Sequence, residues 1–143
     1  MVLGHLLYIS DAAHPMSRDE LEAIRETSVR NNIPLDITGV LFYSAGHFVQ
    51  LLEGDMGTIH RLFEKIAVDD RHQNVRLLVL RPAQKRIFDQ WEMGLLDLDE
   101  HSEAYQRDLA ELVRLAESAN NSDFGTPVEL EILSRFCMLL PAA

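Results

Sequence analysis

The chain has 143 residues, 47% of them hydrophobic and 25% charged, and this length and composition suit a single folded globular domain rather than a disordered segment. Its formal net charge of -10 at pH 7 offers no clustered basic surface for phosphate backbones, so direct nucleic-acid binding is not expected. A single cysteine excludes an internal disulfide, no apolar run is long enough to span a bilayer, and no secretion signal is recognisable, so we expect a cytoplasmic protein without a membrane segment.

The N-terminal residues predict a buried strand followed by a helix. Residues 3–10 are apolar with few breaks, as in a strand that is covered on both faces. Ser17 with Glu20 three positions later forms a capping box, which predicts the start of a helix. Pro34 cannot continue that helix, so we expect it to end at residue 31 or 32.

The middle of the chain predicts a hairpin, a second helix and two more strands. Ala45 and Gly46 separate two β-rich runs, a spacing that is typical of a tight hairpin turn. The predicted elements are strands at residues 37–44 and 47–53, a helix at about 55–68, and strands at 75–80 and 91–96. The order βαββαββ is typical of a ferredoxin-like α+β sandwich.

The last third of the chain predicts a helical extension. The predicted strands carry apolar residues at both their odd and their even positions, so both faces of the sheet are apolar. The second face of the sheet therefore needs a cover as well as the first. An apolar helical stripe spans residues 105–116, a break follows at 120–125, and Thr126 precedes a first-turn proline of another helix. We therefore expect residues 1–98 to form the main domain and residues 99–143 to add two helices that cover the second sheet face.

Four polar side chains fall at positions where a plain core would be apolar. Asn31 and Asn32 continue the inward stripe of the first helix, although capping of the helix end is an equal alternative. Tyr8 and Gln50 share the parity of core residues on their strands, although a satisfied core pair would give the same pattern. Together they predict a cavity with phenol and amide groups, which suits a flat heteroaromatic ligand with imide-like edges. The predicted apolar walls are Ile24, Phe48 and Ile66.

The sequence gives little support to an enzyme. It has no glycine-rich phosphate loop, no paired cysteines, no histidine pair with zinc spacing and no nucleophile with an adjacent base. Glu53 and Asp55 flank a glycine between a strand and a helix, where helix capping explains them better than acid–base catalysis. Cys137 falls in the predicted last helix, where core packing is expected.

Four sequence motifs resemble a known family, the BLUF domain. They are LYIS at residues 7–10, NNIPLDITGVLFYSAGHFVQLLEG at residues 31–54, DDRH at residues 69–72 and WEMG at residues 91–94. The motifs follow one another in the order that the family has. The resemblance implies a ferredoxin-like fold that binds FAD non-covalently between the two helices packed on the sheet, and family members also accept FMN or riboflavin.

The resemblance also implies roles for individual residues. By that analogy Tyr8 is the photochemical electron donor, and Gln50 bridges it to the flavin N5 atom and C4 carbonyl. Asn31 and Asn32 resemble the contacts to the flavin edge, with Asn32 at the C4 carbonyl and N3. Further contacts around the ring or its tail are implied for Ser28, Lys65, Asp69, Arg71 and His72. A close family member has arginine at the position of Lys65. An ammonium cannot reproduce a bidentate guanidinium contact, so this departure affects any contact to the flavin C2 carbonyl or phosphates.

The mechanism implied by the family is a hydrogen-bond switch. Blue light drives an electron and a proton from Tyr8 to the flavin, and recombination leaves the Gln50 amide rotated or tautomerised, which red-shifts the absorption. Trp91 and Met93 share parity on the predicted last strand and are expected to transmit the signal by exchanging places. The alternative is that both are ordinary core residues.

The resemblance therefore predicts a photoreceptor that is not itself an enzyme. It implies a signal to an unidentified downstream protein, and a homo-oligomer is expected. The alternative from another class is a small flavin-dependent oxidoreductase on the same fold, which would turn over a substrate in the dark. A scaffold that has lost its flavin is a third alternative, which the intact set of Tyr8, Gln50, Asn31 and Asn32 disfavours.

Overall fold

The structure is a computed structural model, and it describes residues 1–118 and 127–141. The described strands are β1 (Leu3–Ala12), β2 (Thr38–Ser44), β3 (His47–Asp55), β4 (His72–Pro82) and β5 (Gly94–Asp97). The described helices are α1 (Arg18–Asn32), α2 (Met56–Ala67), α3 (Glu103–Ser118) and α4 (Pro127–Cys137). The order of these elements confirms the predicted α+β arrangement with two C-terminal helices.

The five strands form one mixed sheet in the order β4-β1-β3-β2-β5. The first four strands are antiparallel neighbours, as in a ferredoxin-like sandwich, and β5 is added parallel to β2. In the centre of the sheet Tyr8 of β1 lies directly opposite Gln50 of β3. Ala45 and Gly46 join β2 to β3 with φ angles of 49° and 81°, the left-handed pair that a two-residue hairpin turn requires.

The ends of α1 and α2 follow local capping rules. Ser17 accepts a hydrogen bond from the Glu20 N–H, and the Glu20 side chain accepts one from Ser17, so the predicted capping box is confirmed. The Asp55 carboxylate accepts a hydrogen bond from the Thr58 N–H at 3.1 Å and caps α2. The expectation that Glu53 also caps this helix is wrong, because its side chain points to the opposite side of the sheet from α2.

The two faces of the sheet are covered by different helices. The side under α1 and α2 is named the helix face, and its sheet residues include Leu6, Tyr8, Leu41, Phe48, Gln50 and Leu52. The side under α3 and α4 is named the tail face, and its sheet residues include Leu7, Val40, Phe42, Val49 and Leu51. The two tail helices contribute Leu109, Leu112, Ile132, Leu133 and Phe136 to the tail face. The predicted cover of the second face is therefore confirmed, while the predicted break at 120–125 and Thr126 lie outside the described residues.

The last strand differs from its prediction. It begins at Gly94 instead of residue 91, because the preceding residues leave the ladder: the Trp91 carbonyl accepts from Gly39 N–H, and the Glu92 carbonyl accepts from the Asn32 side chain. The chain crosses here from one face to the other. Trp91 packs against the tail face, whereas Met93 is buried in the helix face. The expected shared parity of these two residues is therefore wrong.

Candidate functional site

A short hydrogen bond joins the two central polar residues of the helix face. The Tyr8 hydroxyl donates to Gln50 Oε1 at 2.5 Å, and both side chains are buried. The other end of the Gln50 amide is also engaged, because Nε2 donates to Met93 Sδ at 3.3 Å. Tyr8 belongs to β1, Gln50 to the neighbouring β3, and Met93 directly precedes β5, so partners on two other parts of the chain fix the orientation of the amide.

The environment of Tyr8 keeps its phenol protonated. Burial raises the pKa of Tyr8 well above its ordinary value, and the negative charge of Asp69 raises it further, while Arg71 acts in the opposite direction. The rings of Phe63 and His72 lie beside it, with centroids 5.6 and 6.0 Å from the Tyr8 ring. Tyr8 is therefore a neutral hydrogen-bond donor in an aromatic enclosure.

A cleft between α1 and α2 opens onto this pair. It consists of two adjoining cavities of about 70 and 160 Å³. The first is lined by Tyr8, Ile24, Ser28, Leu41, Phe48, Gln50, Ile66, Asp69, Arg71 and His72. The second is lined by Thr27, Ser28, Asn31, Asn32, Gln50, Leu62, Lys65, Ile66, Asp69 and Arg71. The structure thus brings together all twelve residues that the sequence analysis assigned to the cofactor.

Three lining residues were missed by the sequence analysis. Leu62 precedes Ile66 by one helical turn, and Thr27 precedes Asn31 by one turn, so helical spacing could have found both. Leu41 lies directly opposite Gln50 on β2. Its signal was the strand register, which a hairpin of known length determines.

The two asparagines at the end of α1 have different environments. Asn32 is buried, and its Nδ2 donates to the Glu92 carbonyl at 2.7 Å. Its Oδ1 makes no hydrogen bond within the described residues, so it is available to accept one from a ligand N–H. Asn31 is exposed and lines only the outer cavity. The alternative of helix capping by asparagine is not what is found, because Ile33 is the C-cap residue.

A charged pair lies in the wall shared by the two cavities. The Arg71 guanidinium donates to both carboxylate oxygens of Asp69, with Nη2 to Oδ2 at 2.5 Å and Nε to Oδ1 at 2.9 Å. These hydrogen bonds lower the pKa of Asp69 to about 2. The pair therefore stays ionised over the whole physiological range and presents a fixed dipole to the cleft.

Two further polar residues complete the cleft. His72 Nε2 lies 2.6 Å from the Ile66 carbonyl and must donate to it, while its Nδ1 lies 2.7 Å from the Ser10 hydroxyl. The ring is therefore held in one orientation between α2 and β1. Lys65 is exposed in the last turn of α2, where its ammonium borders the outer cavity.

The donor set of the cleft fits a flavin. An isoalloxazine ring is flat and apolar on its faces, which matches the walls formed by Ile24, Ile66 and Phe48. Its imide edge needs both donors and acceptors, which the amides of Asn32 and Gln50 supply. Within residues 1–118 and 127–141, no cluster of metal-ligating side chains and no helix long and apolar enough to cross a membrane are found.

Fold and cleft together define a ferredoxin-like ligand-binding domain with a site for a flat ligand that has polar edges. The family model described as sensors of blue-light using FAD, BLUF, matches residues 3–94. The chain belongs to this family, as its motifs predicted, and it is a blue-light sensor that binds a flavin.

Two curated relatives are photoactivated adenylate cyclases. Subunit alpha from Euglena gracilis is 43% identical over 83 residues, which cover 58% of this chain and 8% of that protein. Subunit beta from Euglena longa is 45% identical over 86 residues, which cover 60% of this chain and 10% of that protein. The matched part is therefore a small fraction of each relative.

Solved structures give matching folds. The dark-state structure of BlrB, a BLUF protein, is 29% identical with a TM-score of 0.72, and the match covers 96% of each chain. A bacterial light-regulated adenylyl cyclase is 35% identical with a TM-score of 0.70, covering 82% of this chain and 34% of that one. The BlrB match extends over almost the whole chain, beyond the residues of the family match.

Proposed function

We propose that this chain is a photoreceptor that binds FAD non-covalently in the cleft and reports blue light through a rearrangement of Gln50. The observation that carries the proposal is the Tyr8–Gln50–Met93 chain, in which both ends of one buried amide are hydrogen-bonded. Residues 1–98 are proposed as the sensor domain and residues 99–143 as a helical extension. FMN or riboflavin would fit the same ring site.

The chain's own residues would hold the cofactor by shape and hydrogen bonds. Asn32 Oδ1 is proposed to accept from the imide N–H, and Ile24 and Ile66 to sandwich the ring. Lys65 supplies positive charge at the outer cavity for a phosphate-bearing tail, beside the dipole of the Asp69–Arg71 pair. When bound, the flavin supplies the blue absorption band and accepts one electron and one proton.

Tyr8 is proposed as the donor of that electron and proton. Its phenol is protonated because burial raises its pKa, and its hydroxyl hydrogen already points at Gln50 Oε1. Loss and return of both the electron and the proton would leave no net chemical change in Tyr8. The lasting change is proposed to be in Gln50, whose rotation would present Nε2 in place of Oε1 to Tyr8.

The output is proposed to be a protein interaction without enzymatic turnover by this chain. Rotation of Gln50 would turn Oε1 instead of Nε2 toward Met93 Sδ. Met93 lies two residues after Trp91, in the stretch that leads into β5. Trp91 Nε1 donates to the Pro141 carbonyl at 2.9 Å, so this segment also touches the extension. We propose a separate downstream partner and a homo-oligomer; in the cyclase relatives the matched region is one part of a larger protein.

The test is the visible absorption spectrum of the purified protein before and after blue light, beside a Gln50→Leu variant. We expect a flavin spectrum that shifts to the red, recovers in darkness and shows no shift in the variant. Chromatography of the released cofactor identifies FAD, FMN or riboflavin. A spectrum that only bleaches would favour an oxidoreductase, and a protein that cannot be loaded with flavin would remove the proposal.

A further inference from the structure

A buried carboxylate on the tail face is fastened to the segment between β4 and β5. Glu53 of β3 is 0% exposed, and it lies between Thr38 of β2 and His5 of β1 in the sheet register. Its Oε1 accepts from the Phe88 N–H at 2.8 Å and from the Thr38 hydroxyl at 3.2 Å. Its Oε2 accepts from the Ile87 N–H and lies 3.1 Å from His5 Nε2.

A buried ionised carboxylate is costly unless several donors surround it. The Glu53 carboxylate has two backbone N–H groups and a hydroxyl as donors, and two of the three tie it to one short stretch of chain. These hydrogen bonds do more than satisfy the acceptor atoms of a strand side chain, because they also attach a separate segment to the strand. Its structural effect is to hold Ile87 and Phe88 against the tail face of β3.

Arg86 strengthens the same attachment. Its Nη1 donates to the Thr38 hydroxyl at 3.0 Å and to the Glu53 carbonyl at 3.2 Å. Its Nη2 donates to the Asp36 carbonyl at 2.8 Å. Three consecutive residues, 86–88, are thus bound to the strand ends of β2 and β3.

The fastened residues lie close in sequence to the proposed light switch. The Phe88 carbonyl accepts from the Trp91 N–H at 3.2 Å, which forms a turn directly before the chain crosses to the helix face. Met93 then meets Gln50. Gln50 and Glu53 both belong to β3 but face opposite sides of the sheet, so the switch residue and the anchor share one strand.

We propose that Glu53 is a positioning residue for the light reaction. It holds residues 86–93 so that Met93 Sδ stays where it accepts from Gln50 Nε2 in the dark orientation, and it thereby speeds the return of Gln50 to that orientation. Glu53 touches neither the cleft nor Tyr8, so it acts through the segment that it anchors. The inference rests on the proposed Gln50 switch.

The experiment compares dark recovery in wild type and Glu53→Gln. The amide keeps the side-chain shape but turns an NH₂ group toward a backbone N–H, which releases one anchor bond. We expect unchanged flavin content and about tenfold slower recovery of the dark spectrum, equivalent to about 1.4 kcal/mol in the barrier, because a loosened Met93 no longer favours the dark orientation. The control is Leu109→Ala, which lowers stability on the same face beside Ile9 and Val49 and is expected to leave recovery within about twofold of wild type.

The outcomes separate this inference from the proposed function. A wild type that does not photoswitch would remove the proposed function itself. A switching wild type with a Glu53→Gln variant that recovers at the wild-type rate overturns the anchor alone, and so does a Leu109→Ala variant that recovers as slowly as Glu53→Gln. If Glu53→Gln does not fold, Thr38→Val removes one donor to Glu53 and one acceptor for Arg86 and should slow recovery by about threefold. Unchanged recovery in that variant also overturns the anchor.

Discussion

The two faces of the sheet differ in what they bury. The helix face holds hydrogen-bonded polar groups, Tyr8, Gln50 and Asn32, beside a cleft. Apart from the hydrogen-bonded group around Glu53, the tail face is closed by large apolar side chains such as Phe42 and Phe136, whose ring centroids lie 4.6 Å apart. A strand whose successive side chains alternate between faces can therefore serve ligand binding on one side and stability on the other. Substitutions of polar residues on the helix face and of apolar residues on the tail face should therefore separate the red shift from folding.

The largest expected effect is loss of the light response in Tyr8→Phe. The variant removes the hydroxyl that donates to Gln50, so the red shift should be abolished while folding loses about 1 kcal/mol from the missing hydrogen bond. Absorption spectra before and after blue light measure the shift. Tyr43→Phe is the matched control, because that hydroxyl lies on the same face but accepts from the Met16 N–H. A full shift in Tyr8→Phe would contradict the proposed mechanism.

The largest expected effect on stability is on the other face. Phe136→Ala removes a fully buried ring and should lower the free energy of unfolding by about 3–5 kcal/mol. Denaturant unfolding measures this loss, and the folded protein should keep its red shift. Ile24→Ala, at a half-buried wall of the cleft, should cost less. If folded Phe136→Ala loses the red shift, the two faces are not functionally separable.

A smaller effect is expected from the ion pair in the cleft. The folded pKa of Asp69 is lowered from 3.8 to about 2, so the pair stabilises the fold above the unfolded pKa and this contribution disappears as pH falls toward 2. Because both side chains are partly exposed, we expect a contribution of about 1 kcal/mol. Unfolding curves between pH 2 and 6 should show a shallower acid loss for Asp69→Asn. Equal acid slopes for variant and wild type would refute this account.

The smallest effect is expected at the start of α1. Ser17→Ala removes the capping box and should cost about 1 kcal/mol of stability without changing the spectrum. Ser134→Ala is the matched control, since among the described residues that hydroxyl bonds back to the Leu130 carbonyl within α4, and its loss should change stability by less than about 0.5 kcal/mol. Thermal unfolding of both variants checks the difference. Equal losses would contradict the capping role.

Sequence patterns predicted most of the fold because the local capping and turn signals agree with the overall arrangement of helices and strands. The capping box at Ser17 and the hairpin at Ala45 are set by neighbours a few residues apart. The start of β5 was wrong because its cause is non-local: bonds from Gly39 and Asn32 pull residues 91–93 out of the ladder. An apolar alternation cannot reveal such distant partners.

The site was predicted less evenly than the fold. Parity placed Tyr8 and Gln50 on one face, but only the sheet register brings their polar atoms within 2.5 Å. Glu53 was misassigned to capping, since an acidic residue next to a glycine and a helix start is locally typical of a cap. Its true donors, Ile87 and Phe88, are more than thirty positions away. Long-range polar partners of this kind leave no local sequence signal.

The apolar tail face determines which piece of the chain is transferable as a light sensor. The family match ends at residue 94, yet Phe42, Val49 and Leu51 are covered by helices that follow it. A sensor cut free at that point would expose these residues, and such surfaces promote self-association. Grafting this module onto another protein therefore requires either the two tail helices or a replacement cover for these side chains.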